Sequence, residues 1–188
     1  MFLVDLNDLI YPLLCIFSNM VQVIRYLKGT MDYCIKITPE KEFKVNTYVD
    51  ARFDLQATQG AIVCVGTTPV NWYCRKVKPQ PKASFEAELY AIVDGVTEST
   101  ILGRLLSEFI EQPIGTIYTD NQAALHSIIN GERQRAKHLN IRWKFVREQL
   151  DLNQLSLTFV PGSEQLADIL TKPLPKANNA WKTLFHVT

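Results

Sequence analysis

Hydrophobic residues alternate with polar ones in several short runs of this chain, and this period of two is typical of strands. The first three runs predict adjacent antiparallel strands at 43–50, 60–66 and 70–76. Thr67, Thr68 and Pro69 would join the second and third strands in a hairpin. Two later apolar runs predict further strands, one that ends at Asp120 and one at 155–160.

Longer segments carry apolar residues three or four positions apart, which is typical of helices. They lie at 21–27, 85–110, 139–150 and 164–172, and a further helix begins at 122–125. Ser84, Asn121 and Ser163 are predicted to cap three of them, while Gly95 and Gly103 permit a kink. This order of elements predicts an α/β fold, a five-stranded mixed sheet with helices on its faces.

The start of the chain differs from the rest and predicts an N-terminal appendage at 1–42, followed by one domain at 43–175 and a tail at 176–188. The 188 residues, 47% of them hydrophobic, suffice for one domain with a substantial core. The net charge of +1 excludes a strongly basic protein, so a nucleic-acid partner would be held by local patches. Acidic residues and a proline interrupt the apolar start, which predicts neither a signal peptide nor a membrane span.

Asp120 marks the most informative point of the pattern, because an apolar run ends there and a helix begins just beyond it. Ligands of α/β sheets commonly bind at the carboxyl ends of strands. Asp120 is therefore a candidate for chemistry at this edge. The alternative is that Asp120 only helps to cap the following helix.

Three further acids fall where this topology can bring them to Asp120: Asp50, Glu88 and Asp168. Glu88 shares the apolar stripe of its helix and faces the sheet, whereas Glu86 points away and is predicted to be a surface charge, like Asp54. An isolated buried charge costs several kcal/mol, and the pattern places no Lys or Arg on that side. Carboxylates without Cys or His favour Mg²⁺ or Mn²⁺ over zinc.

Such a cluster suits hydrolysis of a phosphodiester, because two divalent ions about 4 Å apart can activate a water and stabilise the leaving oxygen. Three or four carboxylates are needed to hold them. Each acid taken alone can instead be a solvated surface charge or a helix cap.

Two basic patches are candidates for binding phosphates. The first contains Arg75, Lys76, Lys78 and Lys82, and the second contains Arg133, Arg135, Lys137, His138, Arg142, Lys144 and Arg147. In the second, Leu139 and Trp143 would face inward and leave Lys144 and Arg147 outside. The alternative for both patches is a solvated surface. Trp72, like Trp143, is predicted to belong to the core.

Six motifs occur in one order along most of the chain. They are RYLKGT (25–30), YVDA (48–51), ASFEAELYA (83–91), YTDNQAA (118–124), AKHLNIRWKFVRE (136–148) and VPGSEQLADILTKPLP (160–175). Through them the chain resembles the ribonuclease H domain of copia-type (Ty1/copia) retrotransposon polyproteins. Residues 1–42 would correspond to the end of the reverse transcriptase region.

The resemblance implies a ribonuclease H-like fold and cleavage of the RNA strand of RNA–DNA hybrids during reverse transcription, with two Mg²⁺ ions. Its acidic set falls on Asp50, Glu88, Asp120 and Asp168 as catalytic metal ligands. It also implies a reverse transcriptase domain of the same polyprotein as a partner, and a cytoplasmic, virus-like-particle or nuclear location. The hybrid would be bound through backbone shape, by residues such as Lys76, Lys78, Arg135, Lys137, His138 and Arg142.

The chain departs from the family's pattern at several places, among them Ser84 and Phe85 where the family usually has Ser-Thr, and a shortened segment before RYLKGT. Asp50 and Ala51 are followed by Arg52 and Phe53 where the family has Asp-Trp, so Arg52 would place a positive charge beside the metal site and tune or damage it. Asn140 stands where the family usually has an acid, a change expected to matter only at the surface. Two alternatives stay open: a non-catalytic remnant that binds nucleic acid or is structural, and another member of the fold, such as an integrase or exonuclease core.

Overall fold

The computed structural model of the protein describes residues 6–35, 37, 43–111, 113–130, 137–152, 154–172 and 186–187. The chain divides into two units, one of Met1–Cys34 with Phe185–Thr188 and one of Ile35–Leu184. The domain boundaries expected from the sequence, at 42/43 and 175/176, stay a prediction.

The first unit contains helix α1 (Leu6–Gly29) and two short strands, β1 (Tyr33–Cys34) and β7 (His186–Val187), which pair antiparallel. The helix predicted at 21–27 is therefore confirmed and is longer than expected. Apolar side chains such as Phe17 and Ile24 are more than half exposed. Within the described residues, no helix combines the length and apolar character needed to cross a membrane.

The second unit is a sheet with helices. Its strands are β2 (Val45–Arg52), β3 (Thr58–Val65), β4 (Thr68–Lys76), β5 (Gly115–Thr119) and β6 (Leu155–Phe159). Its helices are α2 (Ser84–Leu106), α3 (Gln122–Asn130), α4 (Lys137–Asp151) and α5 (Asp168–Thr171). A single 3₁₀ turn covers Gly162–Glu164.

Strand β2 lies in the middle of the sheet, whose order is β4-β3-β2-β5-β6. Strands β2, β3 and β4 pair antiparallel, whereas β5 is parallel to β2 and β6 is parallel to β5. The predicted α/β fold with three antiparallel strands followed by parallel ones is confirmed. β2 pairs with β3 over its whole length and with β5 from Val45 to Tyr48, so its carboxyl end is held by β3.

Helices cover both faces of the sheet. Gly95 of α2 lies directly against Val49, because a Cβ atom at Gly95 would overlap Val49 Cγ1. On the opposite face, Gly60 of β3 lies under α5, where an added Cβ atom would be 2.8 Å from Leu170 Cβ. Neighbouring residues of a strand point to opposite faces, so Val49 meets α2 and the next residue, Asp50, points toward α5.

The hairpin between β3 and β4 is tighter than predicted. Val65 pairs with Thr68, so the connection is Gly66 and Thr67 rather than Thr67 to Pro69. Gly66 has a φ of 60°. Two-residue hairpin turns need a positive φ at the first position, which glycine adopts without a steric penalty.

Two predicted helix starts are wrong. Ser84 is the first residue of α2 and Ala83 takes the cap position, while the Glu86 side chain accepts a hydrogen bond of 2.8 Å from the Lys82 backbone N–H. Ser163 lies in the 3₁₀ turn, and α5 begins only at Asp168. The helix predicted at 164–172 is thereby reduced to four residues.

Gln165 explains why α5 is short. Its side chain is 1% exposed and donates a hydrogen bond of 3.0 Å to the Val49 carbonyl, and its Oε1 accepts one of 3.2 Å from the Ala167 backbone N–H. This side chain ties the segment before α5 to the central strand. Gln165 itself has an extended backbone, with φ −72° and ψ 103°, so a helix cannot run through this position.

Helix α2 is continuous through both of its glycines, so the predicted possibility of a kink is not realised. We expect Gly95→Ala to lower the free energy of unfolding by about 2 kcal/mol, because the added methyl group would overpack against the stiff Val49 side chain. Gly103→Ala is the matched control: a Cβ atom there would have nothing within 4 Å. Its higher helix propensity should raise stability by up to about 1 kcal/mol. Urea unfolding measures both, and equal effects would contradict the packing described here.

Candidate active site

The carboxyl ends of β2 and β5 lie at the same edge of the sheet, because the two strands are parallel. Asp50 lies near the end of β2, and Asp120 directly follows β5. Asp168 opens α5, which packs against β2 and β3. One carboxylate oxygen from each of the three aspartates lies within 4.8 Å of the other two. The structure therefore brings these three predicted site residues together.

Glu88 lies early in α2 and is buried, with 8% of its surface exposed. It accepts a hydrogen bond from the backbone of Ala51, next to Asp50. Burial, and then the negative charges of Asp50 and Asp120, raise the pKa of Glu88 to about 9. Its buried Oε2 atom makes no hydrogen bond within the described part of the chain. Glu88 thus lies near Asp50 and Asp120, but it is not one of the three residues whose oxygens lie within 4.8 Å of one another.

Asp120 and Asn121 divide the two roles that the sequence left open at this strand end. Asn121 Oδ1 accepts a hydrogen bond of 2.9 Å from the Ala124 backbone N–H, so the predicted capping of α3 by Asn121 is confirmed. Asp120 is half-buried, and burial together with the charge of Asp50 raises its pKa. A Cβ atom at Gly162 would lie 3.7 Å from Asp120 Oδ2, so this loop closes one side of the cluster.

Lys172 is the site residue that sequence reasoning missed. Its Nζ donates hydrogen bonds to Asp50 Oδ1 at 3.1 Å and to Asp168 Oδ1 at 2.8 Å. The Thr171 hydroxyl donates to the other oxygen of Asp50. The interpretation that no Lys or Arg faces the cluster was therefore wrong. The available signal was the spacing of four residues between Asp168 and Lys172, which places both on one side of a helical turn.

The charges of Lys172 and Asp168 influence each other. Burial lowers the pKa of Lys172, but the hydrogen bond to Asp168 and the charge of Asp50 outweigh it, so the pKa lies above its usual value. Burial raises the pKa of Asp168, and the hydrogen bond from Lys172 offsets only part of that increase. Lys172 is thus held in its charged form beside the carboxylates.

Two other charged residues bear on the predictions. Arg52 forms an exposed ion pair of 3.0 Å with Asp54, and among the described residues the cation that pairs with Asp50 and Asp168 is Lys172. The expected effect of Arg52 on the metal site stays a prediction. Glu86 is 7% exposed rather than a surface charge. Besides the Lys82 backbone, Glu86 accepts a hydrogen bond of 2.9 Å from the Tyr90 hydroxyl, which compensates for its burial.

The two predicted basic patches meet in one groove. Lys76 and Lys78 at the end of β4 and Arg142 of α4 line a cavity of about 220 Å³. The Arg142 guanidinium lies over the ring of Tyr90, 4.3 Å from its centroid. Arg75 also lines this groove, and it pairs with Asp94 at 2.8 Å. We call this feature the basic groove.

Other residues of the predicted patches fall into two groups. Arg133 and Arg135 lie outside the described residues, as do the side chains of Lys137 and His138. Lys144 is exposed as expected, but Arg147 is not directed outward: it donates to the Ile128 carbonyl at 3.1 Å and pairs with Asp151 at 3.2 Å. Arg147 therefore binds the end of α3.

The two tryptophans also differ from each other. Trp143 packs against the core and donates a hydrogen bond of 3.3 Å to the Ser127 carbonyl, as predicted. Trp72 is 51% exposed on the edge strand β4, so its assignment to the core was wrong. Because β4 is an edge strand, its side chains have a neighbouring strand on one side only, which the alternation pattern alone does not reveal.

The carboxylate cluster fits a hard divalent cation. Its donors are carboxylate oxygens, the ligands that Mg²⁺ and Mn²⁺ prefer. The buried Glu88 Oε2 atom makes no hydrogen bond within the described residues, and it can bind a cation once Glu88 has lost its proton. Asp50, Asp120 and Asp168 would hold such an ion.

The chain is similar in sequence to long retrotransposon polyproteins. The Pol polyprotein of transposon RE2 from Arabidopsis thaliana is 32% identical over 164 residues, which is 82% of this chain and 11% of that relative. The Pol polyprotein of transposon TNT 1-94 from Nicotiana tabacum is 27% identical over 160 residues, 82% of this chain and 12% of that relative. Ty1-DR5 Gag-Pol of Saccharomyces cerevisiae is 26% identical over 123 residues, 64% of this chain and 6% of the polyprotein. No protein-family model matches the sequence.

Solved structures with the same fold are ribonucleases H. LC11-RNase H1, solved in complex with an RNA/DNA hybrid, has a TM-score of 0.54 at 12% identity, covering 68% of this chain and 93% of that one. RNase H1 from Halobacterium salinarum NRC-1 has a TM-score of 0.51 at 18% identity, with the same coverage of both chains. At these identities the likeness establishes the fold.

The fold and the carboxylate cluster together define a ribonuclease H-like domain. The relatives place it with the Pol polyproteins of Ty1/copia-type retrotransposons, so the resemblance read from the six motifs is confirmed. The chain spans about a tenth of the length of its plant relatives.

The raised pKa of Glu88 predicts a pH-dependent stability of the metal-free protein. Between pH 4.5 and about 9 the folded protein keeps a proton on Glu88 that the unfolded chain releases, so stability falls as the pH rises. Glu88→Gln removes this dependence, and at pH 8.5 it should be more stable than the wild type by about 1 kcal/mol or more. Urea unfolding in EDTA at pH 5.5, 7.0 and 8.5 measures both slopes. Identical slopes would contradict the burial of an ionisable Glu88.

Proposed function

We propose that this chain is a metal-dependent ribonuclease H that hydrolyses the RNA strand of RNA–DNA hybrids in retrotransposon reverse transcription. The observation that carries the proposal is the meeting of Asp50, Asp120 and Asp168 within 4.8 Å, beside buried Glu88, on this fold. The proposed setting is a Pol polyprotein with a neighbouring reverse transcriptase domain, in virus-like particles or the nucleus.

Each carboxylate of the cluster is prepared for this role by its surroundings. The Thr171 hydroxyl and Lys172 Nζ orient Asp50, which is fully buried. Glu88 keeps an acceptor oxygen without a hydrogen bond among the described residues. Asp120, half-buried, faces the more accessible side. When bound, two divalent cations supply an activated water and stabilise the leaving 3′ oxygen of the phosphodiester.

We also propose that the basic groove binds backbone phosphates of the hybrid. Lys76, Lys78 and Arg142 converge on it, whereas Asp94 offsets only the charge of Arg75. Backbone contacts of this kind position a duplex without reading its sequence. Little base specificity is therefore expected.

The basic groove is connected to the helix that carries Glu88. Arg142 stacks on Tyr90, the Tyr90 hydroxyl donates to Glu86, and Glu86 accepts from the Lys82 backbone in the turn before α2. A phosphate bound at Arg142 would thus be connected through these contacts to the first turns of α2. The connection favours a fixed distance between the bound nucleic-acid backbone and the carboxylates.

The catalytic proposal predicts that Asp120→Asn abolishes Mg²⁺-dependent cleavage of a labelled RNA–DNA hybrid. The amide removes one negative charge from the cluster, and we expect a loss of about a hundredfold or more. Asp151→Asn is the matched control, since Asp151 lies at the exposed end of α4, in an ion pair with Arg147. Full activity of Asp120→Asn would refute the assignment.

A second candidate function is hybrid binding without cleavage. Lys172 favours it, because its ammonium already bridges two of the carboxylates. Salt-sensitive binding of the hybrid with no cleavage over a range of Mg²⁺ and Mn²⁺ concentrations would support this candidate over the first.

The groove proposal predicts the salt dependence of binding. Replacing Lys76 and Lys78 together by Gln should weaken hybrid binding, and the slope of log K against log salt should fall in magnitude by about 1 for each lysine. Fluorescence anisotropy in EDTA between 50 and 200 mM KCl measures this slope without cleavage. Lys144→Gln, an exposed lysine of α4 outside the groove, serves as control. An unchanged slope in the double variant would place the hybrid elsewhere.

A further inference from the structure

Lys172 occupies the place between two of the candidate metal ligands. Its Nζ lies 3.1 Å from Asp50 Oδ1 and 2.8 Å from Asp168 Oδ1. The Asp50 and Asp168 side chains are 1% and 12% exposed, whereas that of Lys172 is 38% exposed. A cation supplied by the chain itself therefore neutralises the most buried part of the cluster.

We propose that Lys172 is a positioning residue that holds Asp50 and Asp168 together in the metal-free protein and competes with a divalent cation for their oxygens. The inference rests on the proposed metal site and adds an internal competitor to it. Metal binding would then exchange one cation for another at these two carboxylates.

Competition follows from the hydrogen bonds that Asp50 already makes. One of its oxygens accepts from Lys172 and the other from the Thr171 hydroxyl. A metal ion that binds the same oxygens of Asp50 and Asp168 competes with the ammonium for them. Two cations at the same pair of oxygens also repel each other strongly in a buried site. The ammonium and the metal ion therefore exclude each other.

The lysine can leave without a change in the fold. Its backbone is fixed at the end of α5, where the Lys172 N–H donates to the Asp168 carbonyl at 2.9 Å. Its four-carbon stem is flexible, and more than a third of the side chain reaches solvent. The ammonium can thus swing into water while Asp50 and Asp168 stay in place.

The metal-free protein needs such a group because the cluster concentrates negative charge. Like charges in a buried site repel and are costly to desolvate. Among the described residues, Asp50 and Asp168 form ion pairs only with Lys172. Removing the ammonium should destabilise the protein without metal and leave its ligands more available to a metal ion.

The test measures binding of Mn²⁺ to the full chain by calorimetry and electron paramagnetic resonance. We expect Lys172→Gln to bind Mn²⁺ about tenfold more tightly than the wild type, because the competing charge is gone. In EDTA the same variant should unfold at a temperature lower by about 5 °C, and added Mg²⁺ should restore more of its stability than it adds to the wild type. Lys172→Arg keeps the charge and should stay close to the wild type.

Two further variants separate the possible failures. Lys144→Gln removes a distant positive charge and should leave Mn²⁺ affinity unchanged. Asp120→Asn should lose Mn²⁺ binding if the metal site itself is correct. Equal affinities of Lys172→Gln and wild type, with Asp120→Asn impaired, would overturn the competition and leave the metal site standing.

The remaining outcomes also decide the proposal. A Lys172→Gln protein that is unfolded in EDTA and folds on addition of Mg²⁺ would support it, since the metal ion then replaces the ammonium. A variant that stays unfolded with Mg²⁺ would contradict it. Absence of Mn²⁺ binding in the wild type and in Lys172→Gln alike would refute both this inference and the proposed metal dependence.

Discussion

The burial of Asp50 at the end of the central strand is the constraint on which the site depends. At Asp50 strand β2 pairs with β3 and is covered by α2 and α5, so Asp50 is fully buried. A buried carboxylate needs hydrogen bonds and an opposite charge. Thr171 and Lys172 supply them from α5, which fixes that short helix against the sheet. The contacts that compensate for the burial of Asp50 are therefore the same contacts that hold α5 against the sheet.

The same edge of the sheet collects more carboxyl groups than Lys172 alone can pair. Glu88 is buried and Asp120 half-buried beside Asp50, and both have raised pKa values, through burial first and neighbouring charge second. Lys172 offsets part of the negative charge of the ionised carboxylates. The negative charge that remains favours the binding of a cation, which is the physical link between this fold and divalent-metal chemistry.

The positive charge of the basic groove comes from a few long side chains that lie close together and not from the net charge of the protein. The net charge is only +1, yet basic residues from β4 and α4 meet in one groove. Stacking of Arg142 on Tyr90 connects this groove to α2. A protein of nearly neutral composition can thus present a local cationic surface to a nucleic-acid backbone.

The sequence by itself determined the element types and the acids at the strand ends, and the order of the elements along the chain predicted the mixed sheet. The element types and the acids are local features: the period of two, the period of 3.6 and an acid after an apolar run are visible within a few residues. The sequence also indicated Glu88 as a candidate ligand, because Glu88 shares the apolar stripe of its helix. The capping of α3 by Asn121 was readable for the same reason.

Only the tertiary structure decided which charges meet. Lys172 and Asp50 are 122 positions apart in the sequence. The basic groove likewise joins residues of β4, which precedes α2 in the sequence, with Arg142 of α4, which follows it. The burial of Glu86, the exposure of Trp72 and the shortening of α5 by Gln165 likewise depend on what packs against each residue. Periodicity specifies the face of an element on which a side chain lies. The partner on that face depends on how distant elements pack. For this reason the acids were predicted from the sequence and the contacts of Lys172 were not.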